Sequence, residues 1–273
     1  MRVLVAGAGG LVGTACQRAF GDDDLWAVTH AELDVTDPVA VEAAVAAFRP
    51  EVVVNAAAWA QVDACDADPD GAFAVNAVAP GILGRAASRR GAVTCHLSTD
   101  YVFGGSTGAG GPPYDEWSPV APLQTYGRTK LGGEDAVRRS TPAHVIARTS
   151  WVFTADGGMT ARILEQYERD GEVRAFSDQW NAATCGDELA ATLRRIVVSG
   201  RFGTFHVCGL GRTTRADLSR AVLEANGVDP AAVVDVSMAS VPGLSPRPSD
   251  TTMEPRALRL AGIVGPGPWR DAL

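Results

Sequence analysis

Positive charge is scarce in this sequence of 273 residues: 24 lysines and arginines stand against 32 aspartates and glutamates, a net charge of −8. That balance argues against nucleic acid or an anionic membrane as the main partner. Any anionic substrate must therefore be met by local donors. Long apolar runs are missing too; the longest, such as Val52 to Ala60, fall far short of a membrane span. The five cysteines (Cys16, Cys65, Cys95, Cys185, Cys208) are odd in number, scattered and without C-x-x-C spacing. This excludes a disulfide framework and reads as reduced thiols in a cytoplasmic protein. The four histidines give no H-x-x-x-H or H-E-x-x-H spacing. Cys95 and His96 are neighbours on a strand, where adjacent side chains point to opposite faces, so no metal site is expected. The first residues run straight into a strand and a glycine turn, which fits no signal peptide.

What is present is apolar residues, 46% of the chain and ample for a sizeable core, arranged in β-α alternation. Arg2 to Ala6 reads as a short strand. Gly7, Gly10 and Gly13 follow it as G-x-x-G-x-x-G and open a helix running to about Phe20. Glycines of this kind let the backbone approach a diphosphate, whose charge the helix N-terminus meets. The bland alternative is a glycine-rich turn with no ligand. Leu25 to Thr29 is the second strand. An NAD site usually places an acid at its end to hold the adenosine ribose. Here the place reads Ala27-Val28-Thr29-His30, with neither acid nor arginine; His30 gives a 2′-phosphate, and so NADPH, a slight edge. Asp34 and Val35 follow, placed to cover the adenine.

Further strands are expected at Glu51 to Asn55, Ala92 to Leu97 and His144 to Arg148. Helices are expected at Val39 to Phe48, Ala72 to Arg89 and from Tyr126 to about Arg139. Ala56, Ala57 and Ala58 after the third strand are small enough to admit a cofactor. Gly104 to Pro122, rich in glycine and proline, reads as a long loop of the kind that forms lids. Alternation fades after about Thr149. Helices at Met159 to Arg169, Asp187 to Val198 and Arg215 to Ala225, with short strands at Val173 to Phe176 and Thr204 to His206, suggest a cap built partly from returning segments.

The chemistry centres on Tyr126-Gly127-Arg128-Thr129-Lys130. Tyrosine and lysine four positions apart share a helix face. An ammonium so close favours the phenolate and eases proton exchange with an alcohol or ketone oxygen. On its own the pair is a weak signal, because Y-x-x-x-K turns up on many solvated helix faces.

In company the motifs say more. Besides Gly7/Gly10/Gly13 they include Leu33-Asp34-Val35-Thr36-Asp37-Pro38, Val54-Asn55-Ala56-Ala57-Ala58, Val62-Asp63 and Asn76-Ala77. Ser98-Thr99-Asp100-Tyr101-Val102-Phe103, the Tyr126 segment, Arg148-Thr149-Ser150-Trp151-Val152-Phe153, Asp178-Gln179, Arg247-Pro248 and Trp269-Arg270-Asp271-Ala272-Leu273 complete the set. Over nearly its whole length the chain resembles the extended short-chain dehydrogenase/reductases, and within them the dTDP-4-dehydrorhamnose reductase family of nucleotide-sugar 4-ketoreductases.

The resemblance implies an α/β fold: a Rossmann-type doubly wound parallel sheet over residues 1–150, and a smaller mixed substrate-binding subdomain over 151–273 with some segments returning. It implies a catalytic set of Thr99, Tyr126 and Lys130. Tyr126 would protonate the C4 oxygen, Thr99 would hold that oxygen, and Lys130 would hold the nicotinamide ribose and keep Tyr126 acidic. Cofactor contacts, to NADPH or NADH, would come from Gly7, Gly10, Leu11, Val12, Gly13, His30, Asp34, Val35, Ala56, Ala57, Ala58, Asn76, Ser98, Tyr126 and Lys130, with Asn76 supporting the lysine directly or through a water. A nucleotide-diphosphate sugar would meet Trp59, Val62, Thr99, Asp100, Tyr101, Trp151, Trp180 and Arg247, with Arg212 a weaker candidate for the diphosphate. Core packing is the alternative for each tryptophan, and a solvated surface charge for each arginine.

The implied activity is reduction of a 4-keto-6-deoxy sugar in deoxysugar or antibiotic-sugar biosynthesis, by a monomer or homodimer. An epimerase or dehydratase that retains its NAD is the alternative, or a non-catalytic nucleotide-binding regulatory subunit. Related dehydratases carry Thr-Asp-Glu where this chain has Thr99-Asp100-Tyr101, which favours the reductase. Departures from the family fall in the substrate half. Asn181 and Ala183 replace Gly and Pro after Asp178-Gln179. Gly157 to Thr160 replaces an Asn-Phe-containing segment, and Asp250 replaces Asn after Arg247-Pro248.

Overall fold

The computed structural model describes residues 1–105, 111–155 and 157–273. In chain order, β1 (Arg2–Ala6) turns through the glycines into α1 (Leu11–Ala19), then β2 (Asp24–Val28), α2 (Pro38–Phe48) and β3 (Val52–Asn55). Two short helices, α3 (Val62–Ala67) and α4 (Pro69–Phe73), lead through a π-helical turn (Ala74–Val78) into α5 (Ala79–Ser88) and β4 (Val93–Thr99). After the long loop come α6 (Thr125–Ser140), β5 (His144–Thr149), β6 (Val152–Thr154), β7 (Gly157–Gly158), α7 (Met159–Asp170) and β8 (Val173–Phe176). The rest is β9 (Trp180–Asn181), β10 (Thr184–Cys185), α8 (Gly186–Val198), β11 (Gly203–His206), β12 (Thr213–Thr214), α9 (Arg215–Ala225), β13 (Val233–Val236) and α10 (Arg256–Ala261).

Six of these strands form one parallel sheet in the order β11-β5-β4-β3-β1-β2. The sheet is covered on both faces, so its strands are apolar nearly throughout. Val3, Val5, Val54, Cys95 and Val145 meet Ala15 and Cys16 of α1 and Leu189, Leu193 and Ile196 of α8 on one side. Leu4, Val53 and Val28 meet Val41 and Val45 of α2 and Leu83 and Ala87 of α5 on the other. Because β2 and β3 lie on opposite sides of β1, their connections diverge there, opening a crevice beyond the carboxyl ends of β1 and β3. The doubly wound sheet expected from the sequence is present, and its last strand arrives from beyond residue 200.

The remaining elements form a smaller layer around α7, α9, the parallel pair β8 and β13, and the buried Trp151, Phe153 and Trp269. Two expectations change. The helix expected over Ala72 to Arg89 is interrupted, because Asn76 turns inward from the π-helical turn and binds the backbone of Trp59. The loop expected to form a lid lies in part (106–110) outside the described residues. Its described remainder is tied down: Tyr114 stacks on Phe103 at 4.2 Å and bridges to Met253, and Glu116 Oε1 accepts from the backbone N–H groups of His206 and Ala257.

A candidate active site at the carboxyl ends of the strands

Gly7 sets the crevice. Its φ of +84° suits only glycine comfortably, and a Cβ there would press on the backbone of Ala57. A Cβ on Gly13 would overlap the Gly7 carbonyl oxygen, so Gly13 brings α1 against the turn instead of lining the cavity. Gly10 precedes α1 without a side-chain cap. The N–H groups of Leu11, Val12 and Gly13 therefore have no helical acceptor and form a small electropositive cradle.

The cavity beside them, about 620 Å³, is lined by Gly7, Gly10, His30, Asp34, Val35 and Ala56 to Trp59. These features fit a dinucleotide: a close backbone approach for the diphosphate and an apolar-walled slot for the adenosine. Among the described residues lining it, His30 is the only side chain able to carry positive charge. No acid ends β2 in the sequence, but Glu32 folds back to it. Its carboxylate accepts from Thr29 N and Oγ1, both at 2.8 Å.

A second cavity of about 430 Å³ shares Gly10, Ala56 and Ala58 with the first. Leu11, Val12, Val62, Ser98, Thr99, Asp100, Tyr101, Tyr126, Lys130 and Trp151 line it. Helix α6 brings Tyr126 and Lys130 here; its N-terminus is capped by Gln124, which accepts from Gly127 N, and anchored to α3 through Thr125 N and Asp66.

Tyr126 and Lys130 line this cavity together, as their spacing suggested, but the described hydrogen bond of the lysine goes elsewhere. Lys130, the chain's only lysine, donates to the Leu97 carbonyl at 2.6 Å. Burial lowers the Lys130 pKa to about 8, with Glu134 pulling the other way. The Tyr126 phenol is pushed up by burial, against a hydrogen bond with Thr99. Desolvation thus favours the protonated form of Tyr126. Helical spacing places two Cβ atoms on one face; it does not say where a four-carbon stem ends.

Asn76 makes its direct bonds elsewhere. It lies behind the crevice wall, fully buried, where Oδ1 accepts from Trp59 N and Nδ2 donates to Trp59 O and Thr129 Oγ1. It fixes the segment after β3 and makes no bond to Lys130. Ser98 reaches the cavity but gives its proton to Glu134 Oε1 at 2.6 Å.

Glu134 went unnoticed in the sequence. It is fully buried one turn beyond Lys130 and takes a fork from Arg148 at 2.9 and 2.8 Å and a bond from Arg138 at 2.8 Å. Burial pushes its carboxyl up, but the Arg148 and Ser98 bonds win and hold it below the ordinary range.

Asp100 is buried and accepts from Thr99, Asn181 and Thr251, yet burial pushes its carboxyl up to about 6. Tyr101, next to it, is pinned by Gln179 Nε2 at 2.8 Å, so a phenol stands where dehydratases have glutamate. Trp151 adopts φ +39°, a backbone strain for a bulky residue, and lies under the Arg215 guanidinium at 4.3 Å.

Of the other expected substrate residues, Trp59 lines the first cavity and not the second. Trp180 lines neither of them; Arg212 covers its ring at 4.5 Å while paired with Asp250 at 2.6 Å. Arg247 is held by Asp63 at 3.0 and 2.7 Å and lines an adjoining recess of about 270 Å³ with Arg162, Arg174 and Arg215. Arg162 and Arg215 also line the second cavity. Neither was marked by a local pattern, because each comes from the start of a helix, α7 or α9, far along the chain from Tyr126.

Comparison with known proteins places the chain in a family. The chain is 37% identical over 277 residues to a dTDP-4-dehydrorhamnose reductase of Mycolicibacterium smegmatis, an alignment covering all of this chain and 84% of that protein. It is 37% identical over 283 residues to a probable dTDP-4,6-dihydroxy-2-methyloxan-3-one 4-ketoreductase of Streptomyces antibioticus, covering all of this chain and 93% of that protein. The crystal structure of dTDP-4-dehydrorhamnose reductase from Bacillus anthracis in complex with NADP superposes with a TM-score of 0.94 at 26% identity, covering 99% of this chain and 96% of that one. The RmlD substrate binding domain family matches residues 1–273. With the same fold and a match that runs its whole length, the chain belongs to that family.

Proposed function

We propose that this protein is an NAD(P)H-dependent reductase of the C4 ketone of a nucleotide-linked 4-keto-6-deoxy sugar, acting in the cytoplasm. One observation carries the reading. The glycine-turn crevice, the Thr99/Tyr126/Lys130 cavity and the arginine-lined recess are contiguous: the first two share Gly10 and Ala58, the last two share Arg162 and Arg215. A cofactor entering from one end and a sugar diphosphate from the other would meet at Tyr126.

When bound, the nicotinamide supplies the hydride that reduces the ketone carbon. The protein's part is to fix the ketone and protonate its oxygen. Tyr126, half-buried and with its phenol pushed up by desolvation, gives its proton to the oxygen as negative charge develops there. Acid catalysis of this kind contributes about 10²–10⁴-fold. Lys130 offers an ammonium beside the cofactor end of the cavity. Trp151 offers an indole face to the sugar. Arg162 and Arg215, with Arg247 from the recess, supply the positive charge that so acidic a chain needs for a diphosphate. Tyr101 in place of a glutamate leaves elimination without its base and supports reduction over dehydration. The five free thiols, four of them buried, suit a reducing compartment.

The test is a panel of nucleotide 4-keto sugars incubated with NADPH and with NADH, following cofactor oxidation and identifying the product. Net oxidation with a C4 alcohol as product supports the reading. Turnover without net oxidation would point to an epimerase or dehydratase, and no turnover with tight nucleotide binding to a regulatory subunit.

A further inference from the structure

We propose that Asp63 is a positioning residue for a nucleoside diphosphate: it holds the Arg247 guanidinium at the arginine-lined recess with one edge left free for a phosphate. This rests on the reading above, in which the recess takes the diphosphate of a nucleotide sugar. Asp63 stands in the first turn of α3, next to Val62, which lines the Tyr126 cavity. Its Oδ1 accepts from Arg247 Nη1 at 3.0 Å and its Oδ2 from Nη2 at 2.7 Å. Oδ1 also accepts from Ser245 N at 3.1 Å. Asp66, in the same short helix, accepts from Thr125 N at 2.9 Å, so the helix that holds Arg247 is tied to the start of α6.

A guanidinium carries five N–H groups in a fixed plane. In Arg247, Nη1 spends both of its own, on Asp63 Oδ1 and on the Ser245 carbonyl at 3.0 Å. Nη2 spends one on Asp63 Oδ2. What remains is Nε–H and the second Nη2–H, side by side on one edge, the fork that meets a phosphate with two parallel bonds. Among the described residues no acceptor takes either of them. Arg247 itself lines the recess. The Asp63 side chain is 58% exposed, so water screens its charge, whereas that of Arg247 is only 13% exposed. A phosphate arriving at the recess therefore meets the guanidinium more strongly than the acid.

The recess does not hold Arg247 by itself. Arg162, Arg174 and Arg215 line it too, and among the described residues no carboxylate does. Burial lowers the Arg215 pKa, and the charges of Arg247 and Arg162 lower it further, against Tyr101 and Asp100. Arg247 thus sits among like charges. The irregular segment that carries it, between β13 and α10, gives little support, because Pro246 and Pro248 on either side have no N–H to donate. From Pro242 to Pro248 the one described bond from a backbone N–H is that of Ser245, and it goes to Asp63. Without Asp63, repulsion and chain freedom both draw the guanidinium away. The Arg247 bonds hold the Asp63 carboxyl well below the ordinary range, so the restraint stays charged.

The experiment measures binding of dTDP and of inorganic pyrophosphate by calorimetry. Wild type is compared with Asp63→Asn, Asp63→Ala, Arg247→Ala and the double variant Asp63→Ala/Arg247→Ala, melting curves showing that each is folded. Each single variant should weaken both probes about tenfold or more, the loss of a hydrogen bond to a charged group, while NADPH binding followed by fluorescence stays unchanged. The double variant should bind no more weakly than Arg247→Ala, because Asp63 acts through Arg247. In steady-state ketone reduction Asp63→Ala should raise KM by the same factor, with a far smaller effect on kcat. Tighter dTDP binding in the Asp63 variants would make the acid a competitor of the phosphate and overturn the proposal. Unchanged binding, a double variant weaker than Arg247→Ala, or a wild type that binds neither probe also overturns it. If wild type reduces none of the ketones, the reductase reading fails by itself, while the binding cycle still decides the role of Asp63.

Discussion

Replacing Glu134 by Gln keeps the side-chain volume and removes one charge from the most heavily bonded carboxylate near the site. Glu134 is fully buried, and Arg148, its forked partner, is only 3% exposed. Gln turns an NH₂ toward donors that converge there from Arg148, Arg138 and Ser98. Breaking a buried pair so that one charge stays uncompensated costs about 3–5 kcal/mol. For 273 residues the unfolding entropy is about 0.6 kcal/mol/K, so the melting temperature should fall by about 5–9 °C.

The pH dependence has a definite sign. The folded-state pKa of Glu134 is depressed, so its stabilisation is complete above the ordinary carboxyl range and fades as pH drops through the depressed value. The gap between wild type and variant should therefore be widest near neutrality and narrow in acid. Calorimetry at several pH values reads both effects. A variant melting within a degree of wild type at pH 7 would refute the claim that this pair anchors α6, and with it Tyr126 and Lys130, to β5.

Other expectations concern function. Tyr126→Phe should lower the rate of ketone reduction about 10²–10⁴-fold while cofactor fluorescence titrations stay unchanged; an unaltered single-turnover rate removes Tyr126 from the chemistry. Arg215→Ala should raise KM for the sugar nucleotide far more than it lowers kcat, with a smaller effect on a substrate lacking the diphosphate, as steady-state kinetics would show. Because its pKa is lowered to about 8, Lys130 should lose its proton as pH rises through that value. As the chain's only lysine it should be the one side-chain amine labelled by an acylating reagent at pH 8–9, with NADPH protecting it; mass spectrometry of the digest decides.

The parts of the site written in local sequence were legible from it. Gly7 to Gly13 announce a turn because backbone approach needs glycine, and the strands and helices around them fall within a residue or two of their expected limits. What depends on distant partners was not. The two-residue strands β9, β10 and β12 exist only because residues far along the chain pair with them, so no periodicity marks them. The break at Asn76 is invisible in an apolar pattern that continues at helical spacing through it; the cause is a side chain bonding Trp59, 17 residues earlier. Lys130 and Arg247 were placed by motif and redirected by the Leu97 carbonyl and by Asp63. The roles of Arg162 and Arg215 come from how α7 and α9 pack, which composition does not encode.

The strand that completes the sheet, β11, is also the last of the six to leave the ribosome. Until about residue 206 has emerged, β5 has an open edge, and the apolar face of α1 waits for α8, whose Asp187 pairs with Arg18. A polypeptide stopped near residue 150 would carry the whole glycine turn and the Tyr126 helix yet expose a sticky strand and half a core. Splitting the gene at that point should yield insoluble fragments, whereas moving the termini elsewhere by circular permutation keeps the late strand tethered and leaves the sheet able to close.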